Sequence, residues 1–261
     1  MKDHLIKIKS TCLKSKHICD LIEGNIYAIL IKNFYEKTIL DFVQVKILSS
    51  KDKGAMQHAN EFNRIGYAYS EINTEEQRTE YHQNALKNFS IIQELFSPSE
   101  HPIDAFTSLL QKVWPFGAGL LEINRQKCFI GICRLMNPLI DLKPHTDRVE
   151  RNLPPNCGIS LASQLSANLY IKMPEDGGEI EFWDMEPTEE QYNALKGNRH
   201  YGISRDLLPK ASYTYKPEQG DLLILNSHRI HAVRPVTDEP RITLSCFVGY
   251  HAMDLPLSYW S

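Results

Sequence analysis

The residues best suited to chemistry in this chain are a short pair and two distant partners: His145-Thr146-Asp147, then His231, then Arg241. In an extended segment the side chains at i and i+2 project from one face, so His145 and Asp147 can grip a single ion through an imidazole nitrogen and a carboxylate oxygen. The run Asn226 to Val233 offers a second imidazole far downstream. Two nitrogens and one oxygen on one side of an ion leave its other positions open, which suits a ferrous ion that must bind further molecules.

Two histidines compete for the downstream place. Gly220-Asp221 opens the run DLLILN, Ser227 to Ile230 reads as a turn, and His231 opens the run HAVRPV. His231 is therefore the expected ligand, at the start of a strand that pairs with the next through the turn Pro235 to Pro240. His228 is expected in the turn, supporting the ligands rather than joining them. Arg241 begins RITLSCFVGY ten residues beyond His231, and a hairpin would set it beside the ligand strand. A guanidinium matches a carboxylate by two parallel hydrogen bonds. Arg241, with Thr243 on the same face, is expected to hold the distal carboxylate of a bidentate dicarboxylate cosubstrate, 2-oxoglutarate. An ion pair with Asp238 or Glu239 is the alternative for Arg241.

Other residues have two readings each. Asn168 and Tyr170, on the run SANLYIKM, could hydrogen-bond a keto acid or be polar groups satisfied within a core. Arg148 and Arg151 could face an anionic substrate, or pair with Glu150 at the surface. Trp183 ends an alternating run, where an aromatic packs or meets substrate at the mouth of a barrel. Arg64, Tyr67 and Tyr69 could line the same cavity from the other side. Gly177-Gly178 reads as a tight turn with positive φ and carries no chemistry.

These residues need a frame of strands. Tyr27 to Lys32 is a compact apolar run that reads as a strand, followed by a helix in EKTILDFVQVKIL whose Ile39, Phe42 and Val43 share a face. The polar stretch Ser49 to Asn63 reads as a loop able to act as a lid, before a strand-like IGYAYSEI. Asn73 to Glu76 caps a long helix to about Phe96 with Ala85, Phe89, Ile92 and Phe96 inward. A second helix runs from Pro102 to about Val113. From Gly119 onward LLEINR, CFIGICRLM, QLSANLYIKM, GEIEFWDM, SYTYK, DLLILN, HAVRPV and RITLSCFVGY are short apolar or alternating runs set apart by turn residues. They predict a sandwich or jelly roll, interrupted by a polar, partly helical insertion from Thr188 to Leu208. The expected fold class is α+β: one domain over 1–261, with a mainly helical support to about 118 packed on a strand-rich core from about 119 to 250.

Composition narrows the function classes. Twenty-nine basic against 32 acidic residues leave a net charge of -3, without the positive field that would hold nucleic acid. The six cysteines form no C-x-x-C pair, which argues against structural zinc and a secreted disulfide framework and for free, mostly packed thiols. No apolar stretch approaches the roughly 18 residues of a membrane span. A cytoplasmic protein with a small-molecule partner is expected, and nothing in the sequence speaks to oligomeric state.

The H-x-D, H and R-x-T order, the GDLLILN lead-in and Gly177-Gly178 before EIEFWD resemble the Fe(II)/2-oxoglutarate-dependent dioxygenase superfamily. The insertion ending in HYGISRDLLPKA and the run NLYIKMPEDGGEIEFWD look most like its branch of N-substituted-leucine hydroxylases and carrier-free halogenases. The resemblance implies a double-stranded β-helix, or jelly roll, with supporting helices. It implies His145, Asp147 and His231 as iron ligands, Arg241 as cosubstrate anchor, and O2 as second cosubstrate. Halogenases of that branch carry Gly or Ala at the carboxylate position, so Asp147 favours hydroxylation of an unactivated C–H bond, with succinate and CO2 released. A free or modified amino acid is the expected substrate, with alkaloids and nucleosides open. Desaturation, epoxidation and ring formation start from the same oxidant. A metal- and dicarboxylate-binding sensor without turnover would use the same ligands.

Overall fold

The computed structural model describes residues 4–56 and 62–261. The first part of the chain provides strands β1 (Leu5–Ile8), β2 (Ala28–Ile31), β3 (Gly54–Ala55) and β4 (Phe62–Ile65). Among them lie helices α1 (Ser15–Ile22) and α2 (Lys37–Ser49), followed by α3 (Glu75–Phe96) and α4 (Pro102–Val113). The later part adds β5 (Ala118–Leu120), β6 (Glu122–Ile123), β7 (Gln126–Lys127), β8 (Ile132–Met136), β9 (Leu142–His145), β10 (Ser163–Lys172) and β11 (Ile180–Phe182). After helix α5 (Glu189–Lys196) come β12 (Tyr213–Tyr215), β13 (Leu222–Asn226), β14 (His231–Val233), β15 (Arg241–Tyr250) and β16 (Leu257–Trp260).

Local signals account for the helices. Thr74 Oγ1 accepts from Gln77 N at 3.3 Å and Gln77 Oε1 accepts from Thr74 N at 3.1 Å, a reciprocal cap that starts α3. Pro102 opens α4, where its missing N–H costs nothing. The inward face of α2 differs from the expected one. Val43 is buried and Ile39 packs partly buried against the core, joined there by Leu40 and Ile47, while Phe42 is 75% exposed because it lies on the outer edge of that stripe.

Two sheets frame the site. The larger runs β1-β2-β13-β10-β15-β8-β4-β3, with β16 on β15 and β5 on β16; the smaller runs β12-β11-β14-β9. Along β10 and β15 residues alternate: Leu165, Ala167, Leu169, Ile242, Leu244 and Cys246 join the main core under the helices. Gln164, Ser166, Asn168, Arg241, Thr243 and Phe247 face the other way, into a cavity. The fold is the expected α+β jelly-roll class. Its N-terminal part is not only helical, since β2 pairs with β13 and β4 with β8 inside the large sheet.

Three local expectations change. The strand expected in IGYAYSEI ends at Ile65, and Tyr69–Glu71 is a 3-10 turn, because Gly66 adopts a φ of +92° and breaks the extended chain. The polar stretch Ser49 to Asn63 holds the end of α2 and parts of the β3–β4 pair, and within it 57–61 lies outside the described residues. The hairpin expected between HAVRPV and RITLSCFVGY does not form. His231–Val233 pairs with β11 and β9 in the small sheet, whereas Arg241 opens β15 in the large one. The Pro235–Pro240 turn is thus a crossover between sheets, and it sets Arg241 across the cavity from His231. Gly177 sits against this crossover with φ +77°, and a Cβ there would lie 2.0 Å from Pro235 O.

Candidate metal centre

The small sheet brings the three candidate ligands together by register. His231 on β14 is the direct partner of His145 on β9, and their ring centroids lie 4.3 Å apart. Asp147 follows β9, its N–H donating to Ser227 O at 2.8 Å. Its carboxylate lies 3.8 Å from His145 Nε2 through Oδ1 and 3.4 Å from His231 Nε2 through Oδ2. One ligand atom from each residue lies within 4.8 Å of the others, a cluster able to hold one metal ion.

Backbone carbonyls set the imidazoles for that task. His145 Nδ1 lies 2.7 Å from Lys143 O and His231 Nδ1 2.9 Å from Arg229 O. A carbonyl only accepts, so each Nδ1 carries the proton in the neutral ring and each Nε2 lone pair faces Asp147. Burial, reinforced by His231, pushes His145 down to about 4, which keeps it neutral. Burial opposes the Asp147 carboxylate, but His145, His231 and Arg134 outweigh it and hold it below the usual carboxylate range. Two imidazole nitrogens and a carboxylate therefore converge, a donor set that calls for a cation. The donor set fits the ferrous ion that the sequence pattern implies.

Opposite, Arg241 is only 7% exposed, with its guanidinium 5.0 Å from the Tyr170 ring centroid. Among the described residues its Nε has no hydrogen-bond partner, and neither does the Tyr170 hydroxyl. The alternative ion pair is absent: Glu239 pairs with Lys172 at 3.0 Å instead. An orphaned, buried guanidinium calls for an anion and fits the distal carboxylate of a keto acid. Thr243, register partner of Tyr170, lines the cavity, and Asn168 Oδ1 accepts from Ser245 Oγ at 2.8 Å. Tyr170 itself touches Arg241 but does not line the cavity.

Several remaining candidates are accounted for by protein partners. Arg148 and Arg151 line the cavity, yet Glu150 is not their partner. Arg151 meets Glu189 at 2.9 Å and Thr146 Oγ1 at 2.8 Å, and stacks on Tyr192 at 4.5 Å. Arg148 contacts His228 Nδ1 at 3.3 Å and donates to Pro187 O at 3.2 Å, so His228 stands behind the site as expected. Trp183 is absent from the cavity lining: its N–H donates to Pro209 O at 2.7 Å, which turns the ring into a cluster with Tyr192 and Ile230. Arg64, Tyr67 and Tyr69 do not line it either. Arg64 pairs with Glu71 at 2.6 Å and lies over Tyr67, and Tyr69 packs edge-on to Tyr81. Their neighbours Ser70, Glu71 and Asn73 reach the cavity instead.

The cavity, about 470 Å³, is also lined by further residues that sequence reading missed, two of which bear on the site. Tyr201, from the insertion, lays its ring 5.5 Å from that of His145 and buries a hydroxyl with no hydrogen-bond partner among the described residues. The insertion is fastened beside the ligands: Ile203 N donates to Pro144 O at 2.7 Å, and Arg205 pairs with Glu181 and with Asp141. Arg134, on β8, is the second. Its signal was legible, a lone charge in the apolar run CFIGICRLM.

Fold and site together are those of the Fe(II)/2-oxoglutarate oxygenase superfamily. Within it the chain belongs to the family described as carrier-protein-independent halogenase WelO5, whose profile matches residues 4–261. A curated relative, L-isoleucine 3(1)-dioxygenase of Pantoea ananatis, is 26% identical over 144 residues, 53% of this chain. The match spans about half of that relative, 48% of its length. Among solved structures, an N-substituted L-amino acid dioxygenase from Burkholderia ambifaria in complex with α-ketoglutarate superposes with a TM-score of 0.64 at 18% identity. That superposition covers 95% of this chain and 91% of the other. No described helix is long and apolar enough to cross a membrane.

Proposed function

We propose that this protein is an Fe(II)- and 2-oxoglutarate-dependent dioxygenase that hydroxylates an unactivated C–H bond of an amino acid or derivative, releasing succinate and CO2. The observation that carries the reading is the convergence of His145 Nε2, His231 Nε2 and the Asp147 carboxylate within 4.8 Å. A carboxylate at the third ligand position supports hydroxylation, although the matched family is described as a halogenase. Membership of that family and similarity to an amino acid dioxygenase disfavour the sensor without turnover.

On this reading His145, Asp147 and His231 hold the iron, and the carbonyls of Lys143 and Arg229 keep both rings in the ligating tautomer. Bound Fe(II) with 2-oxoglutarate supplies the activation of O2. Arg241 clamps the distal carboxylate of the keto acid, aided by Thr243, while Asn168 lines the pocket and Tyr170 backs the Arg241 guanidinium. Tyr201 covers His145 and keeps water from that side of the site. Residues 1–261 act as one domain in this account, since β2 and β4 complete the sheet that bears Arg241. Six unpaired thiols support a reducing, cytoplasmic setting.

The test is an anaerobic titration with Fe(II) and 2-oxoglutarate, watching for the visible charge-transfer band of the chelate. Oxygen is then admitted with a panel containing L-isoleucine, L-leucine and their N-acyl forms, and succinate is measured. A band followed by succinate that a panel member stimulates is expected. No band, or a band with no stimulated succinate, overturns the proposal.

A further inference from the structure

Arg134 is the cavity's unexplained charge. It sits in the middle of β8, facing the cavity, in register with Thr243 on β15 and Arg64 on β4. Its guanidinium carbon lies over the Phe247 ring, 5.8 Å from the centroid, and no hydrogen bond or ion pair holds it among the described residues. The neighbouring arginines differ: Arg64 has Glu71, Arg151 has Glu189, and Arg148 has His228 and Pro187 O. Burial, with the like charge of Arg241, presses the Arg134 pKa down, and the charges of Asp147 and Glu71 and the Tyr201 phenol oppose this without reversing it. A cation removed from water and left unpaired is costly, and an incoming anion offsets that cost.

Its position selects the anion. Met136, two residues along β8, is the register partner of Arg241, so Arg134 and Arg241 stand on adjacent strands with their backbone positions offset by about 7 Å along the strand direction. Arg241 is taken by the keto acid in the proposed reaction. Arg134, within electrostatic reach of Asp147, is left to face whatever lies beside the metal cluster.

We infer that Arg134 binds the carboxylate of the substrate, which makes the substrate an α-amino acid, free or N-modified, with an unblocked carboxyl group. This rests on the proposed function and adds the residue that selects the substrate class. The guanidinium fork fits a carboxylate by two parallel hydrogen bonds and gives an amide or ester no matching second acceptor charge.

The test uses full-length protein loaded anaerobically with Fe(II) and 2-oxoglutarate, titrated calorimetrically with L-isoleucine, N-acetyl-L-isoleucine and L-isoleucinamide. Wild type is expected to bind at least one acid roughly tenfold or more tighter than the amide. In R134Q the acid weakens on the order of 100-fold, the amide is unmoved, and R134K recovers part of the loss. R134Q should melt no lower than wild type, because it removes an unpaired charge rather than a pair. Three results overturn the inference: unchanged acid binding in folded R134Q, no preference for acid over amide in wild type, or an equal loss of 2-oxoglutarate affinity. The last would assign Arg134 to the keto acid. The chelate band of wild type, read first, reports separately on the proposed function.

Discussion

The two walls of the cavity solve different problems. The small-sheet wall places His145 and His231 as register partners on adjacent strands, so their spacing follows from backbone hydrogen bonding alone. The large-sheet wall carries Arg134, Thr243 and Arg241, whose distance from the ligands follows from how far apart the sheets pack. Charge follows the same division. The ligand wall fixes its two imidazoles internally through carbonyls, while on the large wall the Arg134 and Arg241 guanidiniums have no hydrogen-bond or ion-pair partner among the described residues. One wall is built to hold a cation and the other to receive anions.

Removing one ligand attacks the small wall and should have the largest effect. His231→Ala is expected to abolish the chelate band and to lower substrate-stimulated succinate by more than about 100-fold. Its far-ultraviolet circular dichroism should stay native. A variant that keeps the band would show that His231 is not a ligand.

On the large wall, Arg241→Gln should raise the half-saturating 2-oxoglutarate concentration on the order of 100-fold and leave the band attainable at high concentration. A loss of band that no concentration restores would mean that the walls are not independent.

The helical layer behind the large sheet offers a contrast in pH. His101 caps α4 by accepting from Ile103 N, and burial lowers it to about 4. The unfolded chain takes up this proton first, so stability is complete above about pH 6.5, falls as pH drops, and levels off near 4. The full window is worth about 3 kcal/mol. His101→Asn keeps a capping oxygen and cannot charge. Denaturant unfolding at pH 7 and pH 4.5 should show a smaller loss between the two than wild type, and an equal loss would refute the assignment.

The crossover joining the walls gives a smaller effect. Gly177→Ala must leave positive φ and move away from Pro235 O, at a cost of about 2 kcal/mol. A lower melting temperature with a raised 2-oxoglutarate requirement is expected, because the crossover positions Arg241. The smallest effect belongs to a paired arginine. Arg151→Met breaks the half-exposed contact with Glu189, worth under about 1 kcal/mol, and should change substrate affinity less than about threefold.

Much of this was legible in the residues. Alternation in SANLYIKM and RITLSCFVGY marks strands with one apolar face, and the latter run coincides with β15. The i, i+2 spacing of His145 and Asp147 is local, and the turn at Ser227 to Ile230 separates His231 from His228. Pairing partners were not legible. HAVRPV and RITLSCFVGY look like a hairpin, yet each finds a better-matched neighbour: β14 lies between β11 and β9, and β15 between β10 and β8. Arg151 looked like a partner for Glu150, but the insertion folds back to bring Glu189 to it.

The order of residue types and the period of apolar positions were enough to outline most of the elements and to name the candidate ligands, because an element depends on contacts a few residues apart, whereas the reading of Asp147 as favouring hydroxylation rested on the family resemblance. Which sheet each strand joins, which arginines stay unpaired, and that Tyr201 covers His145 were decided only by folding. Those outcomes depend on competition among surfaces distant in the chain, and a guanidinium is free or paired according to which acid the packed core brings within reach.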